Sequence, residues 1–328
     1  MGVEVIGQSG VTWMTYESKD AAVLWMKRLQ AEGYIAGRKL AKMIAMAHDL
    51  ERPLLLEGPA GVGKTALAPA LASVLQREMI RLQCFEGIEA EQALYDWNYH
   101  KQLFDISARQ STDVFSAEYI LPRPLLQALQ SEKGAVLLVD EVDRSDESFE
   151  AMLLEFMADY QISIPEWKTV HARRTPVVIL TSNRMRPLSD ALRRRCLYYW
   201  FDWPEEAEEL NIVRMHLPAI EADSVLNVVR AVRRIRSWEL NKPPGIAETI
   251  DWALAFQASG ADWSAEWIGV SLGCIVKDAA DMEIVRSRIG ELFEGELRRI
   301  VDDEKDIREP SDQALSGFAQ EDNSEQEG

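Results

Sequence analysis

The sequence predicts an α/β fold, a parallel sheet with flanking helices followed by an all-helical domain, on three observations. First, Leu54-Leu55-Leu56-Glu57 runs directly into Gly58-Pro59-Ala60-Gly61-Val62-Gly63-Lys64-Thr65, and Ala66 to Gln76 then carries apolar side chains at helical spacing. Second, Ala135-Val136-Leu137-Leu138-Val139 is apolar without alternation, as a central parallel strand covered on both faces requires, and it ends at Asp140-Glu141. Third, the pattern from Glu205 onward is helical, with no strand signal.

The loop from Gly58 to Thr65 satisfies G-x-x-x-x-G-K-[ST] in its required context, strand before and helix after. Its glycines let backbone N–H groups turn inward around phosphates, and the following helix presents its positive end. Lys64 has the reach for β- and γ-phosphates, and the Thr65 hydroxyl suits Mg²⁺. Two carboxylates at the end of a central strand complete what a P-loop NTPase needs. Asp140 would hold a metal-bound water, and Glu141 would orient and polarise the attacking water.

Composition narrows the class. The 328 residues are 47% hydrophobic, enough for about two domains. Thirty-six Lys and Arg against 54 Asp and Glu give a net charge of −18, which disfavours nucleic acid as a partner. Cys84, Cys196 and Cys274 are scattered, without a C-x-x-C pair, so a reducing cytoplasmic setting is expected rather than disulfides or a cysteine-rich zinc site. No apolar run is long enough to insert in a membrane, and Met1 to Gln30 has no secretory pattern.

Taken in order, Asp20 to Ala31 and Arg38 to Leu50 read as helices. The turn between them, Tyr34-Ile35-Ala36-Gly37-Arg38, is either a plain connection or an adenine contact through Gly37. Met79 to Cys84 alternates as a strand, and Gly87 to Tyr95 reads as a helix that Tyr95-Asp96-Trp97-Asn98-Tyr99-His100 breaks; this aromatic insert is either a recognition surface or a packed loop. Pro124 to Gln130 is helical, Ser148 to Tyr160 is a helix with an apolar stripe, and Gln161 to Val170 a β-hairpin. Pro176 to Leu180 is a buried strand that delivers Thr181-Ser182-Asn183 to the edge where Asp140 lies, so Asn183 is either a strand cap or a group that positions water beside Glu141. Ala191-Leu192-Arg193-Arg194-Arg195-Cys196 places three arginines on a short helix, either a solvated basic turn or arginines aimed at a neighbouring subunit's γ-phosphate. Tyr198-Tyr199-Trp200-Phe201 and Pro204 follow. Helices are then expected over 205–215, 224–239, 246–258, 268–280 and 282–301. An acidic, apolar-poor stretch from Asp302 closes the sequence.

The order P-loop, Asp-Glu strand end, strand-end Asn, arginine turn and helical lid resembles the AAA+ ATPases. Asp140-Glu141-Val142-Asp143-Arg144, the Tyr95 to His100 insert and the Gln161 to Val170 hairpin resemble the MoxR family. Ala93-Leu94-Tyr95-Asp96-Trp97-Asn98-Tyr99 and Pro243-Pro244-Gly245-Ile246-Ala247-Glu248-Thr249-Ile250-Asp251-Trp252 are similar to its CoxD-like branch, whose namesake serves maturation of a molybdenum-copper enzyme. The resemblance covers about residues 30 to 300. It implies an N-terminal helical extension over 1–33, an ATPase domain over 34–204, a lid over 205–301 and a disordered tail over 302–328. It further implies Walker A at Gly58 to Thr65, Walker B at Asp140 and Glu141, sensor 1 at Asn183 and an arginine finger at Arg194 or Arg195, with Arg144 as a second trans contact.

By that resemblance the protein is an ATP- and Mg²⁺-dependent remodelling ATPase, a hexameric ring acting on a protein client through a partner with a von Willebrand factor A domain. The alternatives are a nucleic-acid loader and a nucleotide-binding scaffold with little turnover. One departure stands out: the lid stretch Pro243 to Glu248 has no sensor 2 arginine, so either Lys242 or an arginine from Arg233 to Arg236 substitutes, or the lid senses nucleotide differently.

Overall fold

The computed structural model describes residues 19–108, 115–165, 167–260 and 263–293. The acidic stretch expected over 302–328, and the end of the helix expected over 282–301, lie outside them. The chain divides into two compact units, one ending at Pro204 and one beginning at Glu205.

The first unit opens with α1 (Lys19–Ala31) and α2 (Arg38–Asp49), then β1 (Leu54–Glu57), α3 (Leu67–Leu75) and β2 (Glu78–Gln83). It continues through α4 (Ala90–Ala93), β3 (Tyr95–Trp97), α5 (Tyr99–Ser107), β4 (Ile120–Pro122) and α6 (Pro124–Gln130). Then come β5 (Ala135–Asp140), α7 (Glu147–Asp159), the hairpin β6 (Gln161–Ile164) and β7 (Lys168–His171), β8 (Val177–Ser182), α8 (Asp190–Arg195) and β9 (Leu197–Trp200). Five strands form one sheet in the order β2-β5-β8-β1-β9, every pair parallel.

Alternation divides this sheet's side chains between two cores. Leu54, Leu56, Val136, Leu138 and Ile179 face α1, α2 and α3. Leu55, Leu137, Val139, Val178 and Leu180 face α6 and α7, where Leu125, Leu129, Phe149, Leu153 and Phe156 meet them. All six residues of β5 are buried, which explains its unbroken apolar run. Register aligns the strands' C-terminal ends: Gln83 lies opposite Asp140, Val139 opposite Leu180, and Glu57 opposite both Ser182 and Trp200.

Two expectations are corrected, and one strand is added to which the sequence reading assigned no structure. The helix over Gly87 to Tyr95 is only Ala90–Ala93, because Gly87 is in the left-handed region (φ 81°) and Glu89 caps the new start. The aromatic insert is not a loop: Tyr95–Trp97 pairs antiparallel with Ile120–Pro122, and Tyr99 begins α5, capped by the Asn98 side chain on the Lys101 N–H. Leu197–Trp200 is an edge strand paired with β1, built from the aromatic residues that favour sheets.

The second unit contains α9 (Glu206–His216), α10 (Ala222–Arg236), α11 (Ile246–Ser259), α12 (Ala265–Ser271) and α13 (Ala279–Ser287). The helix expected over 268–280 is interrupted. After Ser271 the chain makes a 3₁₀ turn, and Asp278 caps α13 by accepting from the Ala280 and Asp281 N–H groups. Val225, Val228, Val229 and Val232 of α10 pack against Trp252, Trp263 and Ile268. Within this core Arg236 makes a bidentate pair with the fully buried Glu209 (2.7 Å for each bond) and donates to Pro244 O (2.6 Å). Thr249 Oγ1 also donates to Glu209 (3.1 Å). Arg236 therefore braces the Pro243-Pro244-Gly245 turn.

Glu209→Ala would remove the carboxylate that neutralises the buried Arg236 guanidinium, at a cost of about 3–5 kcal/mol. Hydrogen exchange should show lost protection in α9, α10 and α11 with the five-stranded sheet unchanged; retained protection in those helices would contradict the brace.

Candidate functional site

The phosphate loop is shaped first by a close approach. Gly58 has φ 154°, and a Cβ there would lie 2.4 Å from the carbonyl oxygen of Phe201, whose own N–H donates to Glu57 O (2.7 Å). Only glycine fits. Pro59 is half-buried, Ala60 and Gly61 form the exposed crest, and Val62 is buried as its anchor. Gly63 is again left-handed, at φ 91°. Ala66 is exposed immediately before α3. Gly37 caps α2, and nearby Tyr34 brings its hydroxyl to 3.5 Å from Gly63 O, which sets the 34–37 turn against the loop.

Lys64 is only 5% exposed. Its ammonium donates to Gly58 O, Pro59 O and Asn183 Oδ1, each at 2.7 Å. Burial lowers its pKa to about 8, against the opposing pull of the Asp143, Asp140 and Glu141 carboxylates.

The acidic strand end meets the loop directly. Thr65 Oγ1 donates to Asp140 Oδ1 (3.0 Å), an oxygen that also accepts from Thr181 Oγ1, while Arg81 of β2 pairs with Asp140 Oδ2. Glu141 lies in the left-handed region (φ 54°), a conformation that costs a non-glycine residue about 1–3 kcal/mol and recurs at functional sites. Its N–H donates to Thr181 Oγ1 (2.9 Å), which fixes the turn. The Glu141 carboxylate accepts from Gln83 Nε2 and Arg144 Nη1, both at 3.0 Å, and from Asn183 Nδ2 at 3.4 Å. The buried Asp143 carboxylate accepts from the Asn183 and Met185 N–H groups and so holds the Asn183 turn in place.

The structure thus brings together Gly58, Lys64, Thr65, Asp140, Glu141 and Asn183 at the C-terminal edge of β1, β5 and β8. It adds Gln83, Arg81, Thr181 and Asp143, which the sequence reading did not single out. Gln83 and Arg81 needed the knowledge that β2 lies beside β5. Arg144 contacts Glu141 of its own chain.

The three arginines of α8 differ from one another. Arg193 is paired with buried Glu57 (2.6 Å), Arg195 donates to Met157 O (3.2 Å), and Arg194 is exposed. Cys84, just after β2, is fully buried, which pushes its thiol up to about 12 and leaves it inert. Among the described residues no helix is long and apolar enough to cross a membrane.

The Lys64 shift has a sign. Its burial costs stability fully below about pH 8, and the cost fades as pH rises toward the ordinary 10.5. A phosphate beside Lys64 favours the ammonium form again. Binding of a phosphate-bearing nucleotide should therefore take up a proton above about pH 8, and affinity should fall by up to about tenfold per pH unit there. Calorimetry at about pH 9 in two buffers of different ionisation heat should detect that uptake, with none at about pH 7; equal uptake at both would exclude Lys64 as its source.

Comparison with known proteins agrees with this geometry. Residues 54–200 match the ATPase family associated with various cellular activities (AAA). The chain is 26% identical to the protein NorQ of Paracoccus denitrificans, over 58% of this chain and 67% of that protein. It is 24% identical to the gas vesicle ATPase GvpN of Haloferax mediterranei, over 57% of each. Among solved structures it is similar to the Thermotoga maritima RuvB Holliday junction branch migration motor, at 22% identity and TM-score 0.42, over 69% of this chain and 63% of that one. The AAA match opens on the first residue of β1 and closes on the last residue of β9, so it spans the whole five-stranded sheet, and the chain is similar to the MoxR-like AAA+ ATPases, the type to which NorQ and GvpN belong.

Proposed function

We propose that this chain hydrolyses Mg²⁺·ATP within a cytoplasmic ring and uses the cycle to remodel a protein client. The observation that carries the reading is the Asn183 amide, which touches both the phosphate-binding ammonium of Lys64 and the carboxylate of Glu141. Phosphate binding and water activation are thereby joined by one side chain.

The Thr65 hydroxyl and the Asp140 carboxylate are hard oxygen donors in mutual contact, the kind of sparse protein contribution Mg²⁺ accepts while keeping waters. They would hold the ion, which when bound neutralises charge developing on the β- and γ-phosphates. Lys64 exchanges its carbonyl acceptors for phosphate oxygens. Glu141 takes the proton of the attacking water, oriented by Asn183. Gln83 and Arg144 restrain the Glu141 carboxylate until nucleotide is in place. Arg194, the exposed arginine of α8, is the group offered to the neighbouring subunit's phosphates, in preference to Arg195, which is engaged with Met157 O.

The client surface is assigned to α5. Tyr95 and Trp97 are half-buried, and Trp97 packs edge-on against Phe115 at 5.5 Å, so they support the insert rather than display it. Tyr99, Leu103, Phe104 and Ile106 are exposed, at 61%, 63%, 67% and 51%. Large exposed apolar groups gathered on one nine-residue helix suit a protein partner. The CoxD-like phrases support a partner with a von Willebrand factor A domain and a metalloenzyme awaiting its cofactor. The net charge of −18 weighs against a nucleic-acid track.

Glu141→Gln should keep ATP binding and lose about 10²–10⁴-fold in turnover, the range for a general base. Lys64→Ala should weaken binding by about 1.5–3 kcal/mol. Wild-type turnover no faster than that of Glu141→Gln, with binding intact, would replace the hydrolase by a scaffold. A pulldown with Glu141→Gln in ATP should recover a client that is lost when Leu103 and Phe104 become Ser; recovery of DNA or replication proteins instead would overturn the client assignment.

A further inference from the structure

Strand β1 holds the arginine helix α8 at both ends. Just before the strand, Arg52 Nη2 donates to Arg194 O (2.8 Å) and Arg195 O (3.0 Å), and its Nε donates to Arg195 O (3.3 Å). These are the last carbonyls of a six-residue helix, groups with no intrahelical donor and with the negative end of the helix dipole behind them. An arginine fork spans both, where an ammonium would reach one at a time. At the other end of the strand, Glu57, 1% exposed, accepts from Arg193 Nη2 at 2.6 Å and from Ser182 Oγ at 3.4 Å. Between these two points the Leu197 N–H donates to Pro53 O (2.8 Å), which starts the pairing of β9 with β1.

The result sends three neighbouring side chains in three directions. Arg193 is drawn inward to Glu57, with its guanidinium 5.7 Å from the Tyr198 ring centre. Arg195 turns toward Met157 of α7. Arg194 is left exposed, with its own carbonyl pinned by Arg52. The Arg52 side chain is exposed, and its hydrogen bonds go to the α8 carbonyls. A buried carboxylate and an arginine fork committed to so short a helix are accounted for if the direction of its exposed arginine matters.

We infer that Arg52 and Glu57 are positioning residues for Arg194: the strand that ends in one subunit's phosphate loop also aims the arginine that the subunit offers to the next. The inference deepens the ring reading above and rests on it. It gives each subunit a rigid connection from the loop it fills to the group it donates. Glu57 is bonded to Ser182 as well, so the strand leading to Asn183 belongs to the same connection.

The test uses full-length subunits mixed into rings whose composition is verified. Lys64→Ala subunits, which donate an intact Arg194, are combined with Arg194→Ala subunits, which accept through an intact loop, and ATPase activity recovers. Arg52→Gln is then placed on one side or the other. On the donor it should lower the recovered kcat by roughly tenfold to a hundredfold, the scale for misplacing a catalytic group by about an ångström, with KM within about twofold. On the acceptor it should change kcat by less than about twofold. Glu57→Gln on the donor should repeat the loss, and Arg52→Lys, which keeps the charge without the fork, should restore part of it. Equal loss on both sides, as a merely weakened fold would give, overturns the inference, and so does no loss on either. Absence of recovery in the starting mixture overturns the trans arginine itself, and the inference with it.

Discussion

An ammonium group removed from water must be solvated by the protein, and at Lys64 that requirement organises the site. A side chain 5% exposed, carrying a charge at neutral pH, is tolerable only among acceptors, and three oxygens at 2.7 Å supply them. Two are loop carbonyls, so the loop must turn its peptide planes toward its own lysine. Gly58 permits that turn where any side chain would strike the backbone at Phe201. The third is Asn183, which brings β8 into the site. The nearby Asp140, Glu141 and Asp143 carboxylates favour the charged form without forming ion pairs with it, so the ammonium stays available for an incoming phosphate. A salt bridge to any one of them would have held the lysine more firmly and made it harder to exchange.

The sheet order makes this possible. The lysine loop follows β1, the acids end β5 and the amide ends β8, and the order β5-β8-β1 places the amide strand between the other two. Asn183 can therefore reach to both sides, to Lys64 with its oxygen and to Glu141 with its nitrogen. In chain order the three segments are far apart. In a parallel sheet their C-terminal ends share one edge, where ligands of open α/β sheets bind.

Much of this was legible in the sequence, because the strongest signals are local. The loop from Gly58 to Thr65 is contiguous, β5 shows itself by an unbroken apolar run, and Asn183 follows a second such run. What could not be read depends on which strands become neighbours. Gln83 looks like any polar residue of an alternating strand until β2 is placed beside β5, where it meets Glu141. Thr181 becomes important because register sets it level with Asp140. Strand β9 was missed because four residues following a basic helix carry no alternation or turn signal, and only the exposed edge of β1 makes a strand of them. The aromatic insert misled for a related reason: Tyr95 to Trp97 has its pairing partner more than twenty residues downstream, at Ile120 to Pro122.

The arginines show the same limit in a sharper form. Ten positions separate the bundle brace Arg236 from Ile246, the first residue of α11, and nothing in that spacing distinguishes a nucleotide sensor from a structural brace. Burial shows the brace. Arg236 spends its fork on Glu209 and on Pro244 O, so its charge is consumed within its own unit. Arg193 is likewise consumed by Glu57, although it stands next to Arg194 in a run of three identical residues. A guanidinium has five N–H donors and no way to discard its charge, so its role follows from whichever acceptors the fold presents. For Arg193 and Arg236 these acceptors are internal carboxylates. For Arg194 the fold fixes the backbone and leaves the side chain at the surface, so of the three it is the one that the proposed contact with a neighbouring subunit's phosphates can use.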